Sequence, residues 1–114
     1  MEQVEITKRL GEYDIVQRSS DGYINAEYLQ RQLDNHYTAE INTTIQDFLE
    51  CPGTKELIEN LKGTPMDDNK FYEVDENSIW ISPALLLPYA MQVSPELELE
   101  VIKWFYNSRI MNNL

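Results

Sequence analysis

The sequence predicts a small α+β domain with an N-terminal hairpin, a helix-turn-helix, a β wing and two C-terminal helices. Three observations favour this fold class. A β-favouring run at residues 13–17 is followed by turn formers and a second extended run. Two short segments with helical apolar spacing flank Cys51-Pro52-Gly53. Ser-Pro pairs at residues 82–83 and 94–95 indicate two further helix starts, since Pro suits the first helical position.

The length and composition indicate one compact domain. A chain of 114 residues is expected to fold as a single unit over residues 1–114. Its one cysteine cannot form an internal disulfide and its first residues do not resemble a secretion signal, so we expect an intracellular protein. The uncharged segment 79–95 contains three prolines and is shorter than the roughly 20 residues of a membrane span, so we predict no membrane contact.

The predicted N-terminal hairpin leads into the first helix. Residues 13–17 favour a strand, residues 19–22 favour a turn, and Tyr23-Ile24 resumes the extended pattern. Asn25 is suited to cap a helix that has apolar residues at helical spacing and ends near Asp34. In this helix Glu27 and Arg31 have the i,i+4 spacing of a surface ion pair.

Two short helices are predicted in the middle of the chain. Thr43 and Gln46 have the spacing of a capping box at the start of the first helix. Cys51-Pro52-Gly53 then forms a three-residue turn, Thr54 caps the second helix, and Gly63 ends it. Two short helices joined by a short turn are typical of a helix-turn-helix.

The last third predicts a wing followed by two helices. Strands at residues 71–74 and 78–81 are joined by Asp75-Glu76-Asn77. Pro88 is expected to kink or shorten the first C-terminal helix. The second carries a polar stripe that includes Glu96 and Lys103, and most of its remaining circumference is apolar. We therefore expect this helix to be covered on several sides.

The chain resembles the KilA-N domain of large DNA viruses and phages. The resemblance spans residues 18–107 and rests on Asp21-Gly22-Tyr23-Ile24-Asn25-Ala26, on Thr54-Lys55-Glu56-Leu57-Ile58, on Ile79-Trp80-Ile81-Ser82-Pro83 with Leu85-Leu86 and Tyr89-Ala90, on Val93-Ser94-Pro95, and on Val101-Ile102-Lys103-Trp104. It implies a non-catalytic viral domain related to winged-helix DNA binders, located in the cytoplasm or nucleus of a host cell. Two departures stand out: Glu27-Tyr28 replaces the usual Thr-Lys, and Ser82-Pro83 replaces the usual His-Pro. The first removes an expected phosphate contact.

The charge of the chain conflicts with the DNA-binding interpretation. Nine basic residues against 20 acidic ones give a net charge of −11, which repels a duplex at long range. A local basic patch can still act, because physiological salt screens charges over roughly 8 Å. If DNA is bound, the expected phosphate contacts are Arg18, Arg31, Lys55 and Lys62, and Asn60 is the expected base reader.

The alternative hypothesis is an acidic KilA-N derivative that has lost DNA binding and acts as a protein-interaction module or DNA mimic. Its acidic surface would comprise Glu73, Asp75 and Glu76 near the wing tip and would suit a basic protein partner. The apolar last helix would equally suit self-association. A solvated acidic surface without a function also remains open.

An enzyme is not expected. The chain has a single His, a single Cys and no glycine-rich phosphate loop, so no catalytic triad or nucleotide site is predicted. We likewise predict no cofactor and no metal site, because the acidic turns lack the spacing of a calcium loop.

Overall fold

The described residues form one antiparallel sheet with helices packed on it. The computed structural model describes residues 4–37, 44–67, 70–76 and 78–112. Within these ranges the strands are β1 (Glu5–Leu10), β2 (Tyr13–Arg18), β3 (Ile24–Asn25), β4 (Tyr72–Val74) and β5 (Ile79–Ile81), and the helices are α1 (Ala26–Tyr37), α2 (Ile45–Glu50), α3 (Pro52–Leu61), α4 (Pro83–Val93) and α5 (Pro95–Asn112). The α+β fold class is confirmed.

The sheet has the strand order β1-β2-β3-β5-β4, and every pairing is antiparallel. The predicted hairpin is present, since Gln17 of β2 pairs with Ile24 of β3. Strand β1 was not predicted from the sequence. It pairs with β2 through a two-residue turn in which Gly11 has a φ of +59°, the conformation that a tight hairpin needs at its first turn position.

Helix α1 begins as expected and continues further than expected. The side chain of Asn25 accepts a hydrogen bond from the backbone N–H of Tyr28 at 3.0 Å, which confirms the predicted cap. The predicted Glu27–Arg31 ion pair is also present, at 3.0 Å. The helix continues to Tyr37 rather than ending near Asp34.

Helices α2 and α3 lie where the two central helices were predicted, but their caps differ. Thr44 caps α2 by accepting a hydrogen bond from Asp47 N at 3.1 Å, whereas Thr43 lies outside the described residues. The predicted three-residue turn is wrong: Cys51 alone separates the helices, because Pro52 is preorganised for a first helical position. Thr54 is therefore a buried residue inside α3 instead of its cap.

The C-terminal end of α3 follows the prediction. Gly63 adopts a φ of +80°, a left-handed conformation that suits the residue after a helix end. Leu61 is buried, and Leu57 and Ile58 are partly buried against the core. The opposite face of α3 is consequently left to solvent.

The hairpin β4–β5 lies where the wing was predicted. Glu73 pairs with Trp80, and the backbone of Asp75 donates to the carbonyl of Ser78 at 2.9 Å to close the turn. Asn77 of the predicted turn lies outside the described residues. Because Ile81 also pairs with Ile24 of β3, the hairpin is the far edge of the main sheet.

The two C-terminal helices begin at the predicted Ser-Pro pairs. Ser82 and Ser94 each accept a hydrogen bond from a backbone N–H two or three residues later, at 3.2 Å and 3.1 Å. Helix α4 continues past Pro88 to Val93, so the proline does not shorten it.

Helix α5 is covered mainly along one face. Leu97 and Val101 are buried in the core. Leu99, Ile102 and Tyr106 are 51%, 47% and 65% exposed. The expectation that α5 is covered on several sides is therefore wrong, since its apolar residues exceed what α4 and β1 can cover.

Candidate nucleic-acid interface and the charged cluster of the sheet

The outward face of α3 carries mixed charge. Lys55 and Glu59 lie four residues apart on α3, and Lys62 is the C-cap that follows the helix. Asn60 is exposed on the adjoining flank, about 100° around the helix axis from Glu59. The side chains of Glu59 and Lys62 are 68% and 50% exposed, and they form an ion pair of 2.8 Å. Lys55 is exposed, and no ion pair joins it to a carboxylate in the described part of the chain. Of the predicted DNA-contacting residues, Lys55 and Asn60 therefore lie on α3 and Lys62 is its C-cap.

Arg31 lies on a different helix. Its side chain is 63% exposed on α1 and pairs with Glu27 at 3.0 Å. Helix α1 meets α2 where the side chain of Gln30 accepts a hydrogen bond from Ile45 N at 2.8 Å. Arg31 therefore directly follows Gln30, the residue that links α1 to α2.

Arg18 occupies a different environment from the other predicted contacts. It is 6% exposed, and its guanidinium forms ion pairs with Asp21 at 2.7 Å and with Glu73 at 3.1 Å. The same guanidinium lies 4.8 Å from the ring centre of Trp80 and 5.2 Å from that of Tyr23, within the range of cation–π attraction. Its donors are directed at groups of its own protein, so Arg18 is not available to contact DNA phosphates without breaking these contacts.

Lys70 joins this group, which we call the Arg18 cluster: Arg18, Asp21, Tyr23, Lys70, Glu73 and Trp80. The ammonium of Lys70 lies 2.8 Å from Glu73, 3.4 Å from Asp21 and 4.9 Å from the ring centre of Tyr23. Hydrogen bonds from Lys70 and Arg18 hold the pKa of Glu73 below its ordinary value. Sequence reasoning missed Lys70, because it follows a polar loop and gives no periodic signal.

The residues of the family motif explain how the Arg18 cluster forms. Asp21 accepts a hydrogen bond from Tyr23 N at 3.0 Å, and Gly22 has a φ of +78° that a residue with a Cβ rarely adopts. Tyr23 is 1% exposed, and Asn25 caps α1 while donating to the hydroxyl of Ser78 at 3.3 Å. In this chain the motif therefore fixes a turn, a helix start and a link to β5.

The predicted acidic surface divides into two kinds of residue. Glu73 belongs to the Arg18 cluster. Asp75 accepts hydrogen bonds from Ser78 N at 3.0 Å and from the indole N–H of Trp80 at 3.3 Å. Glu76 is exposed. Two of the three carboxylates are therefore engaged in holding the β4–β5 hairpin, which sequence reasoning did not anticipate.

Most of the basic side chains are neutralised locally. Ion pairs of 4 Å or less hold Arg9 to Asp14, Arg18 to Asp21 and Glu73, Arg31 to Glu27, Lys62 to Glu59, Lys70 to Glu73, and Lys103 to Glu100. Lys8 lies over the ring of Trp104 at 5.8 Å. Lys8, Arg9, Arg18 and Arg31 therefore each have an acidic or aromatic partner within the chain.

The described residues form neither a metal site nor a membrane-spanning helix. Among the residues that the structure describes, no three His, Cys, Asp or Glu side chains are grouped so as to hold a metal ion. None of the described helices combines the length and the apolar character needed to cross a membrane.

Comparison with known proteins places the chain in a family. It matches the KilA-N domain over residues 8–110. No curated protein and no solved structure gives a significant match. The KilA-N domain is in general a DNA-binding or regulatory domain and is not typically catalytic. Since the match covers most of the 114 residues, the chain belongs to the KilA-N domain family.

Proposed function

We propose that this chain is a non-catalytic regulatory domain that contacts duplex DNA through α3, with α2 and α3 acting as a helix-turn-helix. The observation that carries the proposal is the outward face of α3. The exposed side of α3 presents Lys55, and Lys62 follows as the C-cap of the helix. Asn60 is exposed on the adjoining flank of the same helix. In a helix-turn-helix the second helix contacts base edges in the major groove, and α3 is the second helix of the pair.

Each of these side chains suits a particular contact. Lys55 and Lys62 provide ammonium groups for phosphate oxygens, and the amide of Asn60 can pair with the edge of an adenine. Arg31 of α1 offers a fourth contact to a neighbouring phosphate. These contacts are fewer than the phosphate contacts of a strongly basic domain.

The ion pairs on these residues lower the affinity without forbidding it. Lys62 and Arg31 must leave Glu59 and Glu27 to reach phosphates, and exposed pairs of this kind are each worth about 0–1 kcal/mol. The released carboxylates then lie close to DNA and repel it. With at most three cations engaged, we expect weak binding whose logarithmic salt slope is roughly −2 to −3.

The test is fluorescence anisotropy of a labelled random-sequence duplex at several salt concentrations. Lys55→Glu combined with Lys62→Glu should abolish binding and its salt dependence. Glu59→Gln should raise affinity, because it frees Lys62 and removes a charge that faces the phosphates. Glu98→Gln on α5 changes the net charge equally and should have a smaller effect. Equal gains from Glu59→Gln and Glu98→Gln would contradict α3 as the interface.

A second candidate function is supported by the paired cations and the net charge of −11. In this candidate the exposed carboxylates Glu56 and Glu59 of α3 face a basic protein partner, as a protein-interaction module or DNA mimic would. Glu76 is the exposed member of the acidic surface predicted at the wing and offers a separate contact. Such a protein should displace a labelled duplex from a basic DNA-binding protein such as a histone. Glu56→Lys with Glu59→Lys should prevent that displacement, and duplex binding by the wild-type chain itself would favour the first candidate.

A further inference from the structure

Strand β1 forms an open edge of the sheet. In the strand order β1-β2-β3-β5-β4, β1 has β2 on one side, and the described residues place no strand on the other. Residues 5–9 are all exposed, so neither a helix nor a loop of the described part of the chain buries this edge. An open edge carries backbone N–H and C=O groups that can pair with a further strand.

The pairing with β2 fixes which residues of β1 present these groups. The carbonyl of Val4 accepts a hydrogen bond from Ser19 N at 2.8 Å, and Leu10 pairs with Tyr13 across the tight turn. In an antiparallel ladder the bonded residues alternate, so the even-numbered residues of β1 direct their backbone groups toward β2. Glu5, Thr7 and Arg9 therefore direct theirs toward the open edge.

We propose that two copies of this chain associate through antiparallel pairing of β1 with β1, centred on Thr7. A two-fold axis at Thr7 places Thr7 opposite Thr7 and Glu5 opposite Arg9 of the other copy. Glu5, Thr7 and Arg9 then each lie opposite a residue of the other copy whose backbone groups also point to the open edge. The arrangement also forms the Glu5–Arg9 pair twice, and opposite charges directly across a ladder stabilise it.

Strand β1 lacks the features that usually prevent an edge strand from pairing with another chain. Natural edges often use an outward lysine, a proline or a bulge against pairing. Residues 4–10 contain no proline, and their register with β2 is continuous over Glu5–Leu10. The ammonium of Lys8 lies over the Trp104 ring at 5.8 Å, on the α5 side of the sheet. The two remaining charges, Glu5 and Arg9, have opposite signs and lie symmetrically about Thr7. Arg9 also pairs with Asp14 of its own copy at 2.8 Å, and its exposed guanidinium has further donors for Glu5 of the other copy.

Apolar side chains add to the proposed contact. Val4 and Ile6 are 55% and 46% exposed on the same face of β1 as Lys8. In the proposed register Ile6 lies diagonally across from Ile6 of the other copy, at a spacing of about 7–8 Å that long side chains bridge. The buried area is small and each copy carries a charge of −11, so the dimer should be weak and dependent on concentration.

Sedimentation velocity over a range of protein concentrations tests this proposal without DNA. The wild-type chain should show a reversible monomer–dimer equilibrium. Thr7→Pro should leave it monomeric, because the proline removes an outward N–H and no hydrogen bond to β2. A wild-type chain that stays monomeric at its highest soluble concentration would overturn the proposal, as would a Thr7→Pro variant that dimerises normally, for instance through α5.

Charge reversal gives a second test that does not depend on proline. Glu5→Arg and Arg9→Glu each place like charges opposite one another, so each variant alone should dimerise about tenfold more weakly. An equimolar mixture of the two should form a heterodimer, because every cross-strand pair is then of opposite sign. Arg31→Glu, which reverses a similarly exposed and paired arginine away from the edge, should leave association unchanged. Failure of the mixture to associate would overturn the proposed register.

Discussion

Two basic residues, Arg18 and Lys55, occupy opposite environments in the fold. Arg18 is 6% exposed and contacts two carboxylates and two aromatic rings. Lys55 is exposed on α3, and in the described ranges no ion pair engages it. Both were predicted as phosphate contacts from the sequence. The difference shows that the sign of a side chain does not identify a binding residue until its neighbours in the sheet are known.

The family motif and the outward face of α3 have different roles in this chain. The Asp21-Gly22-Tyr23 motif forms the turn that brings Arg18 to Glu73, 55 residues away along the chain. The motif therefore links the turn between β2 and β3 to β4, across strand β5 that lies between β3 and β4 in the sheet. The outward face of α3 is not fixed by these contacts, so it can change from basic to mixed charge while the fold persists.

Replacement of Arg18 should give the largest effect. Arg18→Met removes the buried one of the two cations that Asp21 and Glu73 share and leaves the exposed Lys70 beside them. Because both carboxylates are partly exposed, the expected cost is that of lost hydrogen bonds between charged groups, about 2–3 kcal/mol. The free energy of unfolding, measured by urea denaturation, should fall by about that amount. Arg31→Met removes a cation that is 63% exposed and should change stability by less than about 1 kcal/mol. Equal losses in the two variants would remove the distinction between the buried and the exposed cations.

The two carboxylates of the β4–β5 turn should differ in the same way. Asp75→Ala removes hydrogen bonds to Ser78 N and to the indole of Trp80, so it should cost about 1–2 kcal/mol and shift the tryptophan fluorescence. Glu76→Ala should be within about 0.5 kcal/mol of wild type, because Glu76 is exposed. A large loss from Glu76→Ala, or none from Asp75→Ala, would contradict these assignments.

Local signals made much of the fold predictable from the sequence. Asn25, Ser82 and Ser94 are caps with specific chemistry, and each begins a helix in the structure. Strand β1 was missed because its alternation is weak: Lys8 occupies a position where an apolar residue would be expected, and it is accommodated by stacking over Trp104. This contact joins residues 96 positions apart, so the sequence pattern around Lys8 cannot reveal it.

The candidate site was less predictable for the same reason. The helical pattern and Gly63 were enough to place Lys55 and Asn60 on the second central helix and Lys62 at its end. The engagement of Arg18, Glu73 and Asp75 depends on pairing between distant strands, which sequence spacing does not encode.

The smallest effect expected is a dependence of stability on pH. Burial is the largest single influence on the pKa of Asp21 and raises it, but the hydrogen bonds from Arg18, Tyr23 N and Lys70 and the charge of Arg18 together outweigh burial and hold the pKa below 3.8. The pKa of Glu73 is likewise held below 4.5 by Lys70 and Arg18. A lowered folded pKa stabilises the protein above the unfolded value, so this contribution is complete above pH 4.5 and is lost as the pH falls through the folded values. Urea denaturation at successive pH values should show the loss.

Two variants separate the Arg18 cluster from general acid unfolding, to which the other carboxylates of the chain also contribute. Glu73→Gln should be less stable than wild type at neutral pH, and the gap between the two should narrow as the pH falls, because protonation removes the same charge from the wild-type side chain. Glu76→Gln removes an exposed carboxylate at the same end of the sheet, so its gap from wild type should be small at every pH. If the free energy of unfolding of Glu73→Gln stayed below that of wild type by the same amount down to the acid transition, Glu73 would stabilise the sheet by packing rather than by its charge.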